Sequence, residues 1–255
     1  MKPANTEAFA AETDLCKAFM DAIGHEWTPY AETAGYDILL VRNADGFQIS
    51  VQAKLKLNAV ALSQALEGSS WEYSKMGPDC RAVLVPYGAA VAGVAELADR
   101  LAVTVIRMET PRFGKSFSPS FSPRLPTPDE RYYCRNDGWH ELCPLERHSL
   151  PDYVPDVAAG ASGPTQLTDW KIKAIKIAVI CEILGFVTRA DFKALRIDPR
   201  RWIDARWMLP CEQGFKLSDQ DWMKKQHPRV YEEIKAKHEE WMPPPPPLLK
   251  AARSA

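Results

Sequence analysis

Residues 36–57 contain two strand-like runs joined by a tight turn, and this hairpin constrains the fold more than any other part of the chain. The first run covers 36–42, the turn is Asn43-Ala44-Asp45-Gly46, and the second run covers 47–57. Side chains of a strand alternate between its two faces. The second run is apolar on one face and polar on the other: Ile49, Val51, Ala53 and Leu55 form the apolar face, and Gln48, Ser50, Gln52 and Lys54 form the polar face. We therefore predict a strand with one face on a core.

The segments around this hairpin predict a mixed α/β fold. Apolar residues recur at helical spacing before Gly24, and short apolar runs end at Pro86 and Met108. The expected elements are a helix over 5–23, the hairpin, a helix over 59–67, a strand over 80–86, a helix over 89–101 and a strand over 103–108. This order is typical of a mixed sheet flanked by helices, so we expect residues 1–110 to form one α/β core.

Two segments lack the regularity of this core. Residues 111–166 are rich in proline and serine and show no period, which predicts a loop or linker region, part of which could lie on the core. Residues 223–255 are expected to form a charged, solvent-facing helix over 228–241, followed by a proline-rich tail.

Residues 167–222 predict a small helical domain. Thr168 is a candidate N-cap for a helix that ends at Leu184, and Thr188 with Asp191 resembles a capping box. A third short helix and a β-hairpin are expected to follow. Three short helices and a hairpin are the layout of a winged helix-turn-helix.

Charge is distributed unevenly along the chain. Residues 1–164 carry 15 Lys and Arg against 21 Asp and Glu, whereas residues 165–255 carry 17 against 12. The basic C-terminal part predicts contact with a polyanion such as DNA. No run approaches the roughly 20 apolar residues of a membrane span. The six scattered cysteines favour free thiols and a reducing cytoplasm.

Candidate ligands for a divalent cation lie in and near the hairpin. Mg²⁺ and Mn²⁺ prefer oxygen ligands, and Mg²⁺ often takes only one or two carboxylates from protein. Asp37 is the best candidate ligand, and Gln52 can offer an amide oxygen. Lys54 can orient water or stabilise charge on a phosphate. The remaining carboxylate would come from Glu32 or Glu12.

These residues resemble the signature of the PD-(D/E)xK nuclease superfamily. In that signature an Asp is followed, after about one hairpin, by Glu-x-Lys, usually behind a helix that carries a Glu. Asp37 matches the Asp, and Gln52-Ala53-Lys54 matches Glu-x-Lys with Gln in place of Glu, a variant that occurs in Mrr-type restriction endonucleases. The resemblance implies a restriction-endonuclease-like sheet and metal-dependent phosphodiester cleavage.

The chain is also similar to an uncharacterised bacterial family of predicted PD-(D/E)xK phosphodiesterases with a helical C-terminal module. Glu32 and Asp37 match a motif like Gly-Glu-x-x-x-x-Asp, and residues 55–58 with Gln64 match the segment after the lysine. This similarity covers the predicted core and, more loosely, the predicted winged helix. It implies that Gln64 contacts nucleic acid, and Lys56 shares the face of Lys54 and could contact phosphate.

The third helix of the predicted winged helix is expected to run from Arg200 to about Met208. Ile203 and Trp207 are four residues apart and should pack inward, with Arg200 placed to pair with Asp204. Arginines on a helix in the major groove can contact guanine edges or phosphates. The candidates for this role are Arg200, Arg201 and Arg206. The alternative is a helix-packing module whose arginines are solvated or face protein.

A separate cluster contains ligand types that zinc accepts. Its members are Cys134, His140, Cys143 and His148. Their spacing fits no common zinc finger, so we favour a loop that packs on a domain through Trp139.

We therefore expect a Mg²⁺- or Mn²⁺-dependent nuclease in the cytoplasm that acts on DNA, with no membrane partner and a homodimer left open. The alternative is a non-catalytic DNA-binding or adaptor protein, in which Gln52 marks a site that has lost its chemistry. A third reading assigns the winged helix to a protein partner. Titration with a divalent metal separates the first two, and salt-dependent DNA binding separates the third.

Overall fold

The computed structural model describes residues 9–67, 76–109, 120–128, 138–160, 167–219 and 222–244. The chain forms two compact units, Met1–Gln166 and Leu167–Ala255.

A six-stranded mixed sheet forms the centre of the first unit. Its strands, in order across the sheet, are β1 (Trp27–Thr33), β2 (Tyr36–Arg42), β3 (Gln48–Ala53), β4 (Cys80–Pro86), β5 (Val103–Met108) and β6 (Phe121–Ser122). Strands β1 to β3 are antiparallel neighbours, β3 to β5 run parallel, and β6 is antiparallel to β5. The predicted α/β class with a mixed sheet is confirmed.

Helices cover both faces of this sheet. They are α1 (Glu12–Ala22), α2 (Ala59–Ala65) and α3 (Ala92–Arg100). α1 buries Leu15, Cys16 and Phe19 against one face. The other two helices pack over Val83 and Val105 on the opposite face. Parallel strands need a long crossover connection, and α2 and α3 lie in the two connections of the parallel strands.

The expected hairpin is part of a three-stranded antiparallel arrangement, because β1 pairs along β2. The sequence pattern does not predict β1, which contains Pro29 and few apolar residues. Proline has no N–H to donate and is tolerated on an edge strand. β1 is the edge strand of the sheet, with Pro29 opposite Leu40.

The described part of residues 111–166 contributes side chains to the core of the first unit. Leu125, Trp139 and Ala159 are buried in the same core as α1. Trp139 Nε1 also donates a hydrogen bond to the carbonyl oxygen of Arg124 at 2.8 Å. Apolar side chains scattered among prolines provide this packing without any period, so the sequence pattern does not reveal it.

The second unit begins with the elements that the sequence predicts. The predicted elements are α4 (Asp169–Leu184), α5 (Arg189–Ala194), α6 (Arg200–Asp204), β7 (Met208–Cys211) and β8 (Gly214–Leu217). Three further helices follow: α7 (Trp222–Gln226), α8 (Pro228–Ala236) and α9 (His238–Trp241). Thr168 accepts a hydrogen bond from the Lys171 amide, and Thr188 with Asp191 forms a capping box. Both predicted caps are confirmed. β7 and β8 are antiparallel, and Val187 bridges to Phe215 of β8.

Aromatic packing differs from the expectation for the third helix. α6 ends at Asp204, so Trp207 lies outside the helix, and the fully buried side chain is Trp202. Four aromatic rings have centroids 5.7 to 6.4 Å from that of Trp202: Trp170, Phe192, Trp207 and Trp222. Trp202 therefore takes the inward-packing role that the sequence spacing predicted for Ile203 and Trp207.

The C-terminal helix is also more buried than expected. Val230, Tyr231 and Ile234 of α8 are buried, and Tyr231 donates a hydrogen bond to Glu182 Oε2 at 2.8 Å. The solvent-facing helix predicted over 228–241 is therefore corrected to two short helices that pack on this unit. Among the residues that the structure describes, no helix has both the length and the apolarity needed to cross a bilayer.

Candidate active site

Asp37 lies at the point where the pairing of β2 and β3 stops. The last paired residues are Ile38 and Val51. Beyond them, Asp37 Oδ2 accepts a hydrogen bond from the Ala53 amide at 2.7 Å. The carboxylate thus takes the place of the next backbone carbonyl as hydrogen-bond acceptor. This bond holds Asp37 beside Ala53, the residue that precedes Lys54.

Lys54 follows the end of β3 and contacts the first turn of α1. Its Nζ lies 3.0 Å from Glu12 Oε2, and the two side chains are 22% and 33% exposed. This ion pair is shielded in part but remains open to water. It joins the sheet to α1 at the same end of β3 where Asp37 is held.

The thiol of Cys16 lies among the charged candidates. Burial raises the pKa of Cys16, the carboxylates of Asp37, Glu32 and Glu12 raise it further, and the Lys54 ammonium group lowers it. The charges of all four groups therefore act on one buried atom. When ionised they carry three negative charges and one positive charge, an excess that favours a cation. Sequence reasoning did not single out Cys16, because a cysteine in an apolar helical pattern is usually a core residue.

Asp37 is electrostatically strained in its ionised form. Burial raises its pKa, and the charge of Glu12 raises it further. The hydrogen bond from Ala53 and the charge of Lys54 oppose this shift. A bound cation would favour the ionised carboxylate, because an opposite charge at short range lowers the pKa of an acid.

Glu32 is held by a segment that is remote in sequence. Its Oε1 accepts a hydrogen bond from the Gly160 amide at 2.7 Å. Gly160 has φ +73°, and a Cβ built on it would lie 3.2 Å from Cys16 Sγ and 3.3 Å from the carbonyl carbon of Glu12. Glu32 itself has φ +51°. Nothing in the local sequence identifies Gly160, because the contact joins residues 128 positions apart.

Gln52 is buried and its amide is already engaged. Nε2 donates a hydrogen bond to the Gly35 carbonyl oxygen at 3.3 Å. In the ladder Gln52 pairs with Val83, which belongs to the core under α2 and α3. The side chains of Gln52 and Lys54 therefore contact different parts of the unit, although the alternation predicts a shared face.

The two further candidates after β3 have different environments. Lys56 is exposed. Gln64 lies on α2, and its Oε1 is buried without a hydrogen-bond partner among the described residues. Within the described part of the chain, neither Lys56 nor Gln64 forms a hydrogen bond with the Asp37 carboxylate.

The three arginine candidates of the second unit are exposed. Arg200 forms an ion pair with Asp198 at 3.0 Å, so the expected pair with Asp204 is corrected. The guanidinium of Arg201 lies 6.0 Å from the centroid of the Trp170 ring. Arg206 follows the end of α6 and has φ +56°. The arginines lie at and just after a helix of five residues.

In the described ranges, no three or more His, Cys, Asp and Glu side chains form a group that could hold a metal ion. Cys134 of the zinc candidates lies outside those ranges, while His140 contacts Asp99 at 2.9 Å and His148 contacts Tyr36 at 3.3 Å. Mg²⁺ often takes only one or two protein carboxylates and keeps several waters. Asp37 with Glu12 or Glu32 therefore fits Mg²⁺ better than zinc.

Comparisons with models of protein families, with curated proteins and with solved structures find no match to this chain.

Proposed function

We propose that the first unit is a Mg²⁺-dependent phosphodiesterase that cleaves DNA, and that the second unit is a winged helix that binds the DNA. The observation that carries this proposal is the junction of three elements beside Cys16. There Lys54 at the end of β3 meets Glu12 on α1, and Asp37 on β2 is bonded to the amide of Ala53.

The order of elements supports a restriction-endonuclease-like core. A helix with an acidic residue precedes the antiparallel strands, the Asp lies on β2, and the Lys follows β3 before a helical crossover. This order matches the one that the sequence motif implies. The added strand β1 extends the antiparallel edge without displacing any of these residues.

Each residue of the proposed site has a distinct role. Asp37 and either Glu12 or Glu32 would hold the cation, whose charge stabilises the oxygens of the phosphate under attack. Lys54 would donate to a phosphate oxygen or orient the attacking water. Because Lys54 also contacts Glu12, the two side chains position each other. Gln52 would stabilise the turn at Gly35, because its side-chain amide nitrogen donates a hydrogen bond to the Gly35 carbonyl oxygen.

The second unit supports the DNA-binding part of the proposal. α4, α5 and α6 precede the β7–β8 hairpin, and Val187 between the first two helices bridges to Phe215. An isolated bridge beside a two-stranded wing is compatible with a winged helix. The exposed arginines at α6 then form the proposed contact with phosphates or bases.

The test is cleavage of supercoiled plasmid DNA with Mg²⁺ in excess over the DNA phosphates or with EDTA, followed on agarose gels. Asp37→Ala and Lys54→Ala should each lower the metal-dependent rate by about 100-fold or more, because each removes a charge that acts in the transition state. Glu12→Gln should lower it less if Glu32 supplies the second carboxylate.

Matched controls lie on the same helix as Glu12. Asp21→Asn and Lys17→Ala remove exposed charges of α1 and should leave the cleavage rate unchanged. Full activity in both Asp37→Ala and Lys54→Ala would refute the proposal.

A non-catalytic DNA-binding or adaptor protein is the second candidate. It is favoured by Gln52, which lacks the charge of the usual Glu and whose amide is engaged by Gly35. Calorimetric titration with Mg²⁺ decides between the two. Absent metal binding together with retained, salt-sensitive DNA binding would favour the adaptor.

A further inference from the structure

A second polar cluster lies on the sheet face opposite α1. Ser50 on β3 and Arg81 on β4 are paired neighbours in the ladder. The residues that flank Ser50, Ile49 and Val51, belong to the core under α1, so alternation places Ser50 and Arg81 on the other face. None of the carboxylates near Cys16 belongs to this pair.

His148 is fixed over this face by the side chain of Gln48. Gln48 Nε2 donates to the His148 carbonyl oxygen at 2.8 Å, and the His148 amide donates to Gln48 Oε1 at 2.9 Å. The imidazole Nε2 then lies 3.3 Å from the hydroxyl of Tyr36. The side chain of Ser50 lowers the pKa of Tyr36. β2, β3 and the segment that contains His148 thus place one imidazole beside one phenol.

The guanidinium of Arg81 has no counter-charge in this cluster. Its Nε is buried and has no hydrogen-bond partner among the residues that the structure describes. The neighbouring acid on the chain, Asp79, is already bound by Arg147 at 2.7 and 3.1 Å and by the Gln48 amide at 2.7 Å. A half-buried cation without an anion is costly, so the site is suited to an anionic ligand.

Burial has the largest effect on the pKa values of the two neighbours, and the charge of Arg81 acts on both. Burial lowers the pKa of His148, and the charge of Arg81 lowers it further. Burial also lowers the pKa of Arg81. Tyr36 is buried as well, and burial raises its pKa, whereas Arg81 lowers it. A bound anion would offset the positive charge that His148 and Tyr36 experience.

We propose that Arg81, His148 and Tyr36 form a binding site for a phosphate group. A phosphate offers several acceptor oxygens in a tetrahedral arrangement, which suits donors that approach from β2, β4 and the 138–160 segment. Arg81 supplies the charge, and Tyr36 and His148 supply neutral donors at the sides. Arg81 and His148 are partly exposed, so a ligand can reach both.

The phosphate can come from two sources, a free phosphate ester or the backbone of a nucleic acid. Tyr36 is the chain neighbour of Asp37, a residue of the candidate active site. That second source rests on the proposed function, whereas binding of free phosphate does not.

The experiment uses the full-length protein in EDTA, so that no cleavage occurs. Inorganic phosphate is titrated while the imidazole proton signals of His148 are followed by NMR, with His148→Gln used for assignment and sodium chloride of equal ionic strength as a control. Phosphate should shift these signals and raise the melting temperature. Arg81→Gln should weaken phosphate binding by about 10-fold or more, and the matched Arg100→Gln on α3 should leave it unchanged.

A second arm titrates a single-stranded DNA 12-mer under the same conditions. A shift of the same His148 signals by DNA, reversed by excess phosphate, identifies a backbone phosphate as the ligand. A response to inorganic phosphate alone identifies a free phosphate ester. Tyr36→Phe gives an independent test if Arg81→Gln does not fold, because it should also weaken binding. The proposal is refuted if His148 responds to neither ligand, or if Arg81→Gln and Arg100→Gln bind phosphate equally. Loss of DNA cleavage alone would not affect this result.

Discussion

Asp37 is the residue in which stability and proposed function conflict most directly. Its carboxylate is partly buried beside Glu12, and its pKa is raised. The same position receives the Ala53 hydrogen bond that places it next to Lys54. A side chain that disfavours its own charge in the absence of a ligand is typical of a functional site.

Replacing Asp37 by Asn should therefore stabilise the protein. A raised pKa in the folded state means that ionisation costs stability above that pKa, and the cost disappears below the ordinary pKa of an aspartate. Asp37→Asn should raise the melting temperature at pH 7 by roughly 1–3 °C, and the difference should vanish near pH 3. Thermal unfolding at the two pH values measures both effects.

The exposed Asp21→Asn on α1 is the control and should show no such gain. Mg²⁺ should raise the melting temperature of the wild type and leave Asp37→Asn unaffected. A lower melting temperature for Asp37→Asn at pH 7 would contradict the electrostatic account.

At the scale of elements, the segment that contains Gly160 packs against one side of the candidate site. Ala159 is buried in the core under α1, and Gly160 then packs on Cys16 and Glu12 while its amide binds Glu32. A left-handed residue without a side chain is needed there, since a Cβ would contact both neighbours. The segment thus couples a buried core residue to a candidate metal ligand.

Gly160→Ala should disturb the site more than a similar change elsewhere. Gly138 has almost the same φ, +74° against +73°, but a Cβ on it would meet nothing within 4 Å. Both alanine variants carry the left-handed strain of about 1–2 kcal/mol, and Gly160→Ala adds about 1–3 kcal/mol of overpacking. Urea unfolding measures the difference, and Mg²⁺ titration should show weaker binding in Gly160→Ala only. Equal losses in the two variants would show that Gly160 has no special contact with the site.

At the scale of the whole molecule, the two units differ in charge and in proposed task. The acidic excess lies in the first 164 residues and the basic excess in the rest. In the proposed function, the first unit cleaves the phosphodiester bond and the second unit binds the DNA. Changes in one unit should therefore leave the other property intact.

Removing the three arginines at α6 tests this division. The variant Arg200→Ala, Arg201→Ala, Arg206→Ala should weaken DNA binding, and the slope of log K against log salt should become shallower by up to about three. Mg²⁺ affinity should not change. Fluorescence anisotropy with labelled DNA at several salt concentrations measures the slope.

A control with the same loss of charge uses exposed residues near and on α8, namely Lys225, Arg229 and Lys237. Their replacement by alanine should reduce the slope less. An equal effect of the two triple variants would mean that charge alone, and not the α6 surface, binds DNA.

The sequence by itself determined much of the fold and part of the site. Alternation over residues 48–53, helix caps at Thr168 and Thr188, and the buried run of β4 are local signals, because each depends on neighbours within a few residues. The same local reasoning selected Asp37 and Lys54, which lie near the first and the last residue of one hairpin. It missed β1, because this strand lacks the apolar pattern that predicts a strand. Only its pairing with β2 identifies it.

Only the tertiary structure decided which residues meet. The contacts of Lys54 with Glu12, of Glu32 with Gly160 and of Tyr36 with His148 join positions 42, 128 and 112 residues apart. No local pattern encodes such distances, because they depend on how the sheet, α1 and the proline-containing segment pack together. Among the described residues, the same packing leaves Arg81 Nε buried without a hydrogen-bond partner, and this property cannot be read from its place in an apolar strand.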